Sequence, residues 1–128
     1  MYKILYIDDT AHWRETYEKA FSEAGAEIKT LPDARGDIIN EALEFGSDLI
    51  LLDICMPEVD GFDALKILKN DARTKNILVF FFSSISNPEY IKKGLGLGAE
   101  KYLVKSDYES GKVVEICLKY LKGRHSQR

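Results

Sequence analysis

What this chain lacks excludes several kinds of protein. Its two cysteines, Cys55 and Cys117, are too few for the disulfide framework of a small secreted protein and do not have the spacing of a metal motif. No apolar run approaches the roughly 20 residues that a membrane-spanning helix requires. The formal net charge of −3 argues against general binding to nucleic acid, because binding to the phosphate backbone requires a basic surface. We therefore expect a protein of the reducing cytoplasm that does not bind nucleic acid or membranes directly.

The remaining composition is that of an ordinary globular domain. About 45% of the residues are hydrophobic and 30% are charged, and 128 residues suffice for one domain with a real core. Met1–Lys3 leads directly into an apolar run, which leaves no room for a signal peptide. The basic residues near the end are interpreted as the solvated end of a helix: Lys119, Lys122, Arg124 and Arg128.

Four apolar runs are nearly continuous rather than alternating, which is typical of strands buried on both faces of a sheet. They are Ile4–Ile7, Leu49–Leu52, Ile77–Phe82 and Tyr102–Val104. A fifth segment, Glu27–Leu31, alternates weakly, and this pattern predicts an edge strand.

Helical patterns follow each of these runs. Trp13 lies on the apolar stripe of the first, and stripes that include Ile38 and Val113 mark the second and the fifth. Asp60 and Asn87 are predicted N-caps of the third and the fourth. This (βα)5 alternation predicts an α/β fold with a parallel sheet and helices on both of its faces.

Polar side chains stand where the predicted strands stop. Asp8 and Asp9 follow the first run, Asp53 follows the third, and Ser83 and Lys105 follow the last two. Because parallel strands present their carboxyl ends at one edge of an open sheet, we expect these side chains to meet there. Three carboxylates, one hydroxyl and one ammonium suit a divalent metal and a phosphoryl group.

These residues, in this order and at these spacings, resemble the receiver domain of two-component response regulators. The resemblance covers Lys3 to about Leu121. It is carried by Asp8-Asp9, the segment from Asp53 through Met56-Pro57 to Asp60-Gly61, Ser83, Gly98-Ala99, and Tyr102 with Lys105. It implies a flavodoxin-like fold with strand order 2-1-3-4-5. The receiver domain would span residues 1–122, and residues 123–128 would be a polar tail or the start of a linker.

The resemblance also implies a chemistry. Asp53 would accept a phosphoryl group from a sensor histidine kinase or a histidine phosphotransfer protein and form an aspartyl phosphate. Mg²⁺ would offset the repulsion between the two anions. Its implied ligands are Asp8, Asp9, Asp53 and the backbone carbonyl of Cys55. Lys105 and Ser83 would contact the phosphoryl oxygens. Such a domain is no enzyme beyond its own phosphotransfer and dephosphorylation.

In the family, the signal passes through the hydroxyl residue and an aromatic residue, here Ser83 and Tyr102. They would switch the surface formed by helix 4, strand 5 and helix 5, which binds a downstream effector or a second copy of the chain. Helix 4 is predicted to be short and mobile, because glycines at Gly94 and Gly96 each cost about 1 kcal/mol relative to alanine. We interpret these glycines as a loosened helix end rather than a dinucleotide-binding loop.

One departure from the family pattern and two alternatives remain. Ser106 stands where most members have proline after the lysine, so a trans peptide is expected there. The chain could instead be a degenerate receiver that acts as a phosphorylation-independent protein-interaction domain. It could also be a phosphatase or flavin-binding carrier of the same architecture, although Cys55 stands where the phosphatase needs a second aspartate. His12 is interpreted as a surface residue and Trp13 as packed.

Overall fold

Five strands alternate with five α-helices in the computed structural model, which describes the backbone of residues 1–126 and the side chains of residues 1–124. The strands are β1 (Lys3–Ile7), β2 (Glu27–Leu31), β3 (Leu49–Leu52), β4 (Leu78–Ser83) and β5 (Lys101–Val104). The helices are α1 (Ala11–Glu23), α2 (Ile38–Phe45), α3 (Gly61–Lys69), α4 (Pro88–Gly96) and α5 (Ser110–Ser126), and a short 3-10 helix spans Lys105–Asp107.

All four strand pairings are parallel, and the strand order is β2-β1-β3-β4-β5. This is the predicted fold and the predicted strand order. The nearly continuous apolar runs of β1, β3 and β4 lie in the middle of the sheet, where side chains on both faces are buried. β2 lies at one edge and is only partly buried, as its weak alternation predicts.

Two hydrophobic cores cover the two faces of the sheet. Because successive strand residues point to opposite faces, Leu5, Ile50 and Phe81 pack with α2 and α3 in one core. Tyr6 and Phe82 pack with α1 and α5 in the other core. Both faces are therefore covered by helices, and the carboxyl-end edge of the sheet is left for a site.

The predicted helix caps are confirmed. The Asp60 carboxylate accepts a hydrogen bond from the Asp63 backbone N–H at 2.9 Å, and Asn87 caps α4 through the Glu89 N–H at 2.8 Å. Pro88 follows Asn87 at the first helical position. These caps fix where α3 and α4 begin, and hence the loops that flank the carboxyl-end edge.

α4 is longer than the sequence predicted, since it continues through both glycines to Gly96. A Cβ atom at Gly94 would lie 2.8 Å from the Phe81 ring and 3.3 Å from the Tyr102 ring. Glycine here permits the close approach of α4 to β4 and β5, and this packing accounts for a helix that local propensity disfavours.

The last helix continues beyond residue 122. α5 continues to Ser126, so residues 123–126 extend the last helix, and residues 127 and 128, including Arg128, lie outside the described part. Within residues 1–126, no helix combines the length and the apolar content that crossing a bilayer requires.

Candidate functional site

The strand register brings the first and third strand ends together. Ile7 lies opposite Leu52, so Asp8 and Asp53 are the next residues along adjacent strands. The Asp53 N–H donates to the Ile7 carbonyl at 3.0 Å. The backbone of Asp53 is thus held by the sheet, and its carboxylate is placed beside that of Asp8.

Three carboxylates meet at this edge. Asp8, Asp9 and Asp53 each offer an oxygen atom, and these atoms all lie within 4.8 Å of one another. Asp8 is fully buried and Asp53 is 5% exposed, whereas Asp9 is exposed to solvent. Hard divalent cations favour carboxylate oxygens, so the donor set fits the Mg²⁺ that the sequence implies.

Lys105 brings a positive charge to this cluster. Its Nζ lies 2.6 Å from Asp8 Oδ2 and 3.6 Å from Asp53 Oδ2, and its side chain is only 4% exposed. Lys105 follows directly after β5 and begins the short 3-10 helix. The peptide bond to Ser106 is trans, as expected for a non-proline residue, and the ammonium reaches the carboxylates with this geometry.

The environment of Asp53 opposes its negative charge. Burial raises the pKa of Asp53 from 3.8 to about 6; Asp8 and, to a lesser extent, Asp9 also raise it. The Lys105 ammonium and the Ile54 N–H, which donates to Asp53 Oδ1 at 2.8 Å, act in the opposite direction without cancelling the rise. A cation at the three carboxylates would relieve this repulsion.

The loop after Asp53 depends on a glycine. A Cβ at Gly61 would lie 2.2 Å from the Asp53 carbonyl oxygen and 2.7 Å from the Ile54 Cα. The Gly61 N–H donates to the Ile54 carbonyl at 2.8 Å. α3 therefore begins in backbone contact with the residue that carries the site.

Sequence analysis missed several groups that hold Asp8. The Tyr6 hydroxyl donates to Asp8 Oδ2 at 2.6 Å, and the Thr10 N–H donates to Oδ1 at 2.9 Å. Arg14 Nη1 donates to the Asp8 carbonyl at 2.8 Å. Burial and the contact with Asp8 raise the pKa of Tyr6, so this phenol stays protonated and acts as a donor. The spacing of two residues along a strand places Tyr6 and Asp8 on one face and is the sequence signal for this contact.

Aromatic rings surround the other side of the Lys105 ammonium. The Nζ atom lies 4.7 Å from the Trp13 ring centroid and 5.6 Å from that of Phe82. Trp13 is half-buried and packs edge-on against Phe82, so its predicted packing is confirmed. Cation–π attraction and the two carboxylates together stabilise an ammonium group that is almost completely excluded from solvent.

Ser83 and Tyr102 both contact the backbone of one loop residue. Ser83 is the last residue of β4, is 1% exposed, and accepts a hydrogen bond from the Ile85 N–H at 3.2 Å. The Tyr102 hydroxyl donates to the Ile85 carbonyl at 2.7 Å. Burial raises the pKa of Tyr102, which a contact with Ser83 partly offsets. The two predicted switch residues are therefore linked through Ile85.

The remaining sequence candidates have smaller parts in the geometry. The ligand that the sequence implies at Cys55 is the backbone carbonyl, and the side chain is exposed. Partial loss of solvent around the sulfur and the negative charge of Asp53 raise the pKa of the thiol, so the thiol is poorly suited to act as a thiolate ligand. His12 is exposed and is not part of the group of three carboxylates. The geometry therefore brings together Asp8, Asp9, Asp53 and Lys105, with Ser83 at the end of the neighbouring strand.

Comparison with known proteins identifies the family of this chain. Residues 4–115 match the family model described as the response regulator receiver domain. The chain belongs to this family. It is 34% identical over 124 residues to the chemotaxis protein CheY of Treponema pallidum, and the alignment covers 94% of this chain and 83% of that protein.

Solved receiver structures superpose closely on this chain. The chemotaxis protein CheY4 of Vibrio cholerae matches with a TM-score of 0.83 at 25% identity, over 93% of this chain and 98% of CheY4. A CheY-like receiver domain from Methanospirillum hungatei matches with a TM-score of 0.87 over 100% and 99% of the two chains, and at 18% identity it supports the fold alone. Receiver domains are in general signalling domains rather than enzymes, and response regulators interact with histidine kinases and downstream effectors.

Proposed function

We propose that this receiver accepts a phosphoryl group on Asp53 from a sensor histidine kinase or a histidine phosphotransfer protein in the cytoplasm. The observation that carries the proposal is a buried Asp53 carboxylate with Lys105 Nζ at 3.6 Å and two further carboxylates beside it. In the transfer, an Asp53 oxygen forms a bond to phosphorus as the phosphorus–nitrogen bond of the donor breaks. The electron pair of that bond returns to the histidine nitrogen.

The three carboxylates support a Mg²⁺ site. Asp8, Asp9 and Asp53 would hold the ion together with the backbone carbonyl of Cys55. When bound, Mg²⁺ supplies positive charge that lets the carboxylate and the phosphoryl group approach each other. The raised pKa of Asp53 supports this assignment, because burial and the neighbouring Asp8 oppose the negative charge of Asp53 and a cation would offset that cost.

Lys105 and Ser83 would bind the phosphoryl oxygens. The Lys105 ammonium is already within 3.6 Å of the accepting carboxylate, so it would act as a point charge on the transferred group. Ser83 would donate a hydrogen bond with its hydroxyl proton, and turning to do so would weaken the bond that its oxygen accepts from the Ile85 N–H. Phosphoryl transfer depends mainly on such positioning and charge stabilisation.

The signal would leave the site through Ser83, Ile85 and Tyr102. If Ser83 turns toward a phosphoryl group, it weakens the hydrogen bond from the Ile85 N–H, and Tyr102 is bonded to the carbonyl of the same residue. The change would bias the surface of α4, β5 and α5 between two populations. That surface would bind a downstream effector or a second copy of the chain.

Intact mass after incubation with acetyl phosphate tests the phosphoacceptor. We expect wild-type protein to gain one phosphoryl group when Mg²⁺ is present and no gain for Asp53→Asn. Asp63→Asn, which removes an exposed carboxylate of α3, is the matched control and should behave like wild type. If the wild type gains no mass and binds no beryllofluoride, the chain is instead a phosphorylation-independent interaction domain.

Hydrogen exchange tests the proposed switch surface. Gly94 is the one buried residue of α4, and two glycines lower the intrinsic stability of this helix. We therefore expect residues 90–97 to exchange faster than β3 and β4, and to change their exchange when beryllofluoride binds. Protection equal to that of the sheet would exclude α4 as the mobile part.

A further inference from the structure

Tyr6 is a buried phenol that the proposed transfer does not use. Its hydroxyl donates to Asp8 Oδ2 at 2.6 Å, and the whole residue is excluded from solvent. Its ring packs against those of Tyr17 and Phe82, at centroid distances of 5.8 and 6.1 Å. The ring is thereby held by close packing, which fixes the direction in which the hydroxyl points.

Asp8 Oδ2 is shared between two donors. Tyr6 Oη and Lys105 Nζ each lie 2.6 Å from it, while the Thr10 N–H occupies Oδ1. A carboxylate oxygen has lone pairs for both donors, and the phenol offsets part of its negative charge. Without the phenol, Lys105 would have to satisfy Oδ2 alone, and Asp8 would attract the ammonium more strongly.

The hold of Asp8 on Lys105 matters because the ammonium has a second task. Its Nζ is 1.0 Å closer to Asp8 Oδ2 than to Asp53 Oδ2, as the two distances of 2.6 and 3.6 Å show. A shift of the ammonium toward phosphoryl oxygens on Asp53 would lengthen its contact with Asp8 Oδ2. A weaker bond to Asp8 therefore lowers the cost of reaching the transition state.

We propose that Tyr6 is a positioning residue for phosphoryl transfer. By sharing Asp8 Oδ2 with Lys105, its hydroxyl leaves the ammonium free to stabilise the phosphoryl oxygens on Asp53. The inference rests on the proposed phosphorylation of Asp53. Tyr6 makes and breaks no covalent bond in the reaction, keeps its proton, and acts only through Asp8 and Lys105.

Tyr6→Phe tests this role, because it keeps the ring and removes only the hydroxyl. Tyr17→Phe makes the same chemical change in a neighbouring buried ring that is not a donor to Asp8 and serves as the matched control. We would measure the phosphorylation rate with acetyl phosphate by intact mass as a function of Mg²⁺. Calorimetry without phosphodonor would give the Mg²⁺ affinity, and urea unfolding would establish that both variants are folded.

We expect the rate at saturating Mg²⁺ to fall about tenfold in Tyr6→Phe. Because Asp8 is also a proposed Mg²⁺ ligand, the comparison is made at saturation, where a change in Mg²⁺ affinity no longer affects the rate. Tyr17→Phe should react like wild type. A wild-type rate in Tyr6→Phe overturns the inference. A rate that returns to the wild-type value at saturating Mg²⁺ also overturns it, because the hydroxyl would then act only on metal binding through Asp8. An equal loss in Tyr17→Phe overturns it as well, since that result indicates packing alone. If the wild type is not phosphorylated, the proposed function and this inference both fail. If the wild type is phosphorylated and Tyr6→Phe reacts equally fast, only the inference fails.

Discussion

Asp53 should destabilise the metal-free protein at neutral pH. Its pKa rises from 3.8 to about 6 on folding. A difference of one in pKa between the unfolded and folded states corresponds to about 1.36 kcal/mol. A carboxyl group with a raised pKa contributes stability that is complete below pH 3.8 and is lost as the pH rises through 6. By pH 7 this loss amounts to about 3 kcal/mol.

Asp53→Asn should recover most of this free energy. Asparagine keeps the shape and can still accept the Ile54 hydrogen bond, while Lys105 retains its closer partner Asp8 at 2.6 Å. In EDTA at pH 7 we expect the variant to be more stable than wild type by about 2–3 kcal/mol. At pH 5 the difference should shrink to about half, because Asp53 of the folded wild type is then largely protonated.

Urea unfolding at both pH values, followed by the fluorescence of Trp13, would measure this difference. A gain of about 3 kcal/mol should raise the midpoint by roughly 1–3 M urea. Asp63→Asn removes an exposed charge as the control and should change stability by less than about 0.5 kcal/mol. If Asp53→Asn were no more stable than wild type at pH 7, the reasoning would fail, because Lys105 would then already satisfy Asp53.

Three further perturbations test the same site. Mg²⁺ at about ten times its dissociation constant should stabilise wild type by about 1.4 kcal/mol, and Asp53→Asn by less, in thermal scans; equal shifts would contradict the assignment. Lys105→Met leaves Asp8 without its buried cation and should cost about 3–5 kcal/mol in urea unfolding, whereas a loss below about 1 kcal/mol would mean that the pair is dispensable. Gly61→Ala forces a Cβ to within 2.2 Å of the Asp53 carbonyl and should destabilise by at least about 2 kcal/mol, while Gly36→Ala, with open space around it, should not.

The fold could be predicted from the sequence because its strands are marked by local pattern. The apolar runs of β1, β3 and β4 can be seen in the sequence, and so can the polar residues that directly follow them. Because parallel strands end at the same edge of the sheet, it follows that these polar residues share that edge. The strand boundaries differ by a residue from the predicted ones: β4 includes Ser83, and β5 begins at Lys101 rather than Tyr102. Strand ends depend on hydrogen bonds to a neighbouring strand, which one segment alone does not encode.

The contacts inside the site were harder to predict. The clustering of Asp8 and Asp53 follows from strand register. The contact of the Lys105 ammonium with the Trp13 ring, however, depends on side-chain conformations in α1, a helix far from Lys105 in the sequence. Glycine at position 94 predicts a weak point of α4, whereas in the fold Gly94 permits packing against Tyr102. Tertiary packing decided both cases, and local propensity carries no information about it.

Magnitudes also limit how the proposed switch can work. The Ser83 contact with the Ile85 N–H is a single hydrogen bond, worth about 0.5–1.5 kcal/mol, so breaking it would shift a population by about tenfold at most. Converting a resting population of 1:99 into 99:1 needs about 5.5 kcal/mol. The cost of holding the charge of Asp53 in its buried site beside Asp8, about 3 kcal/mol at pH 7, is larger, and a bound cation would offset part of it. We therefore expect Ser83 and Tyr102 to direct a change whose driving free energy comes mainly from the charges around Asp53.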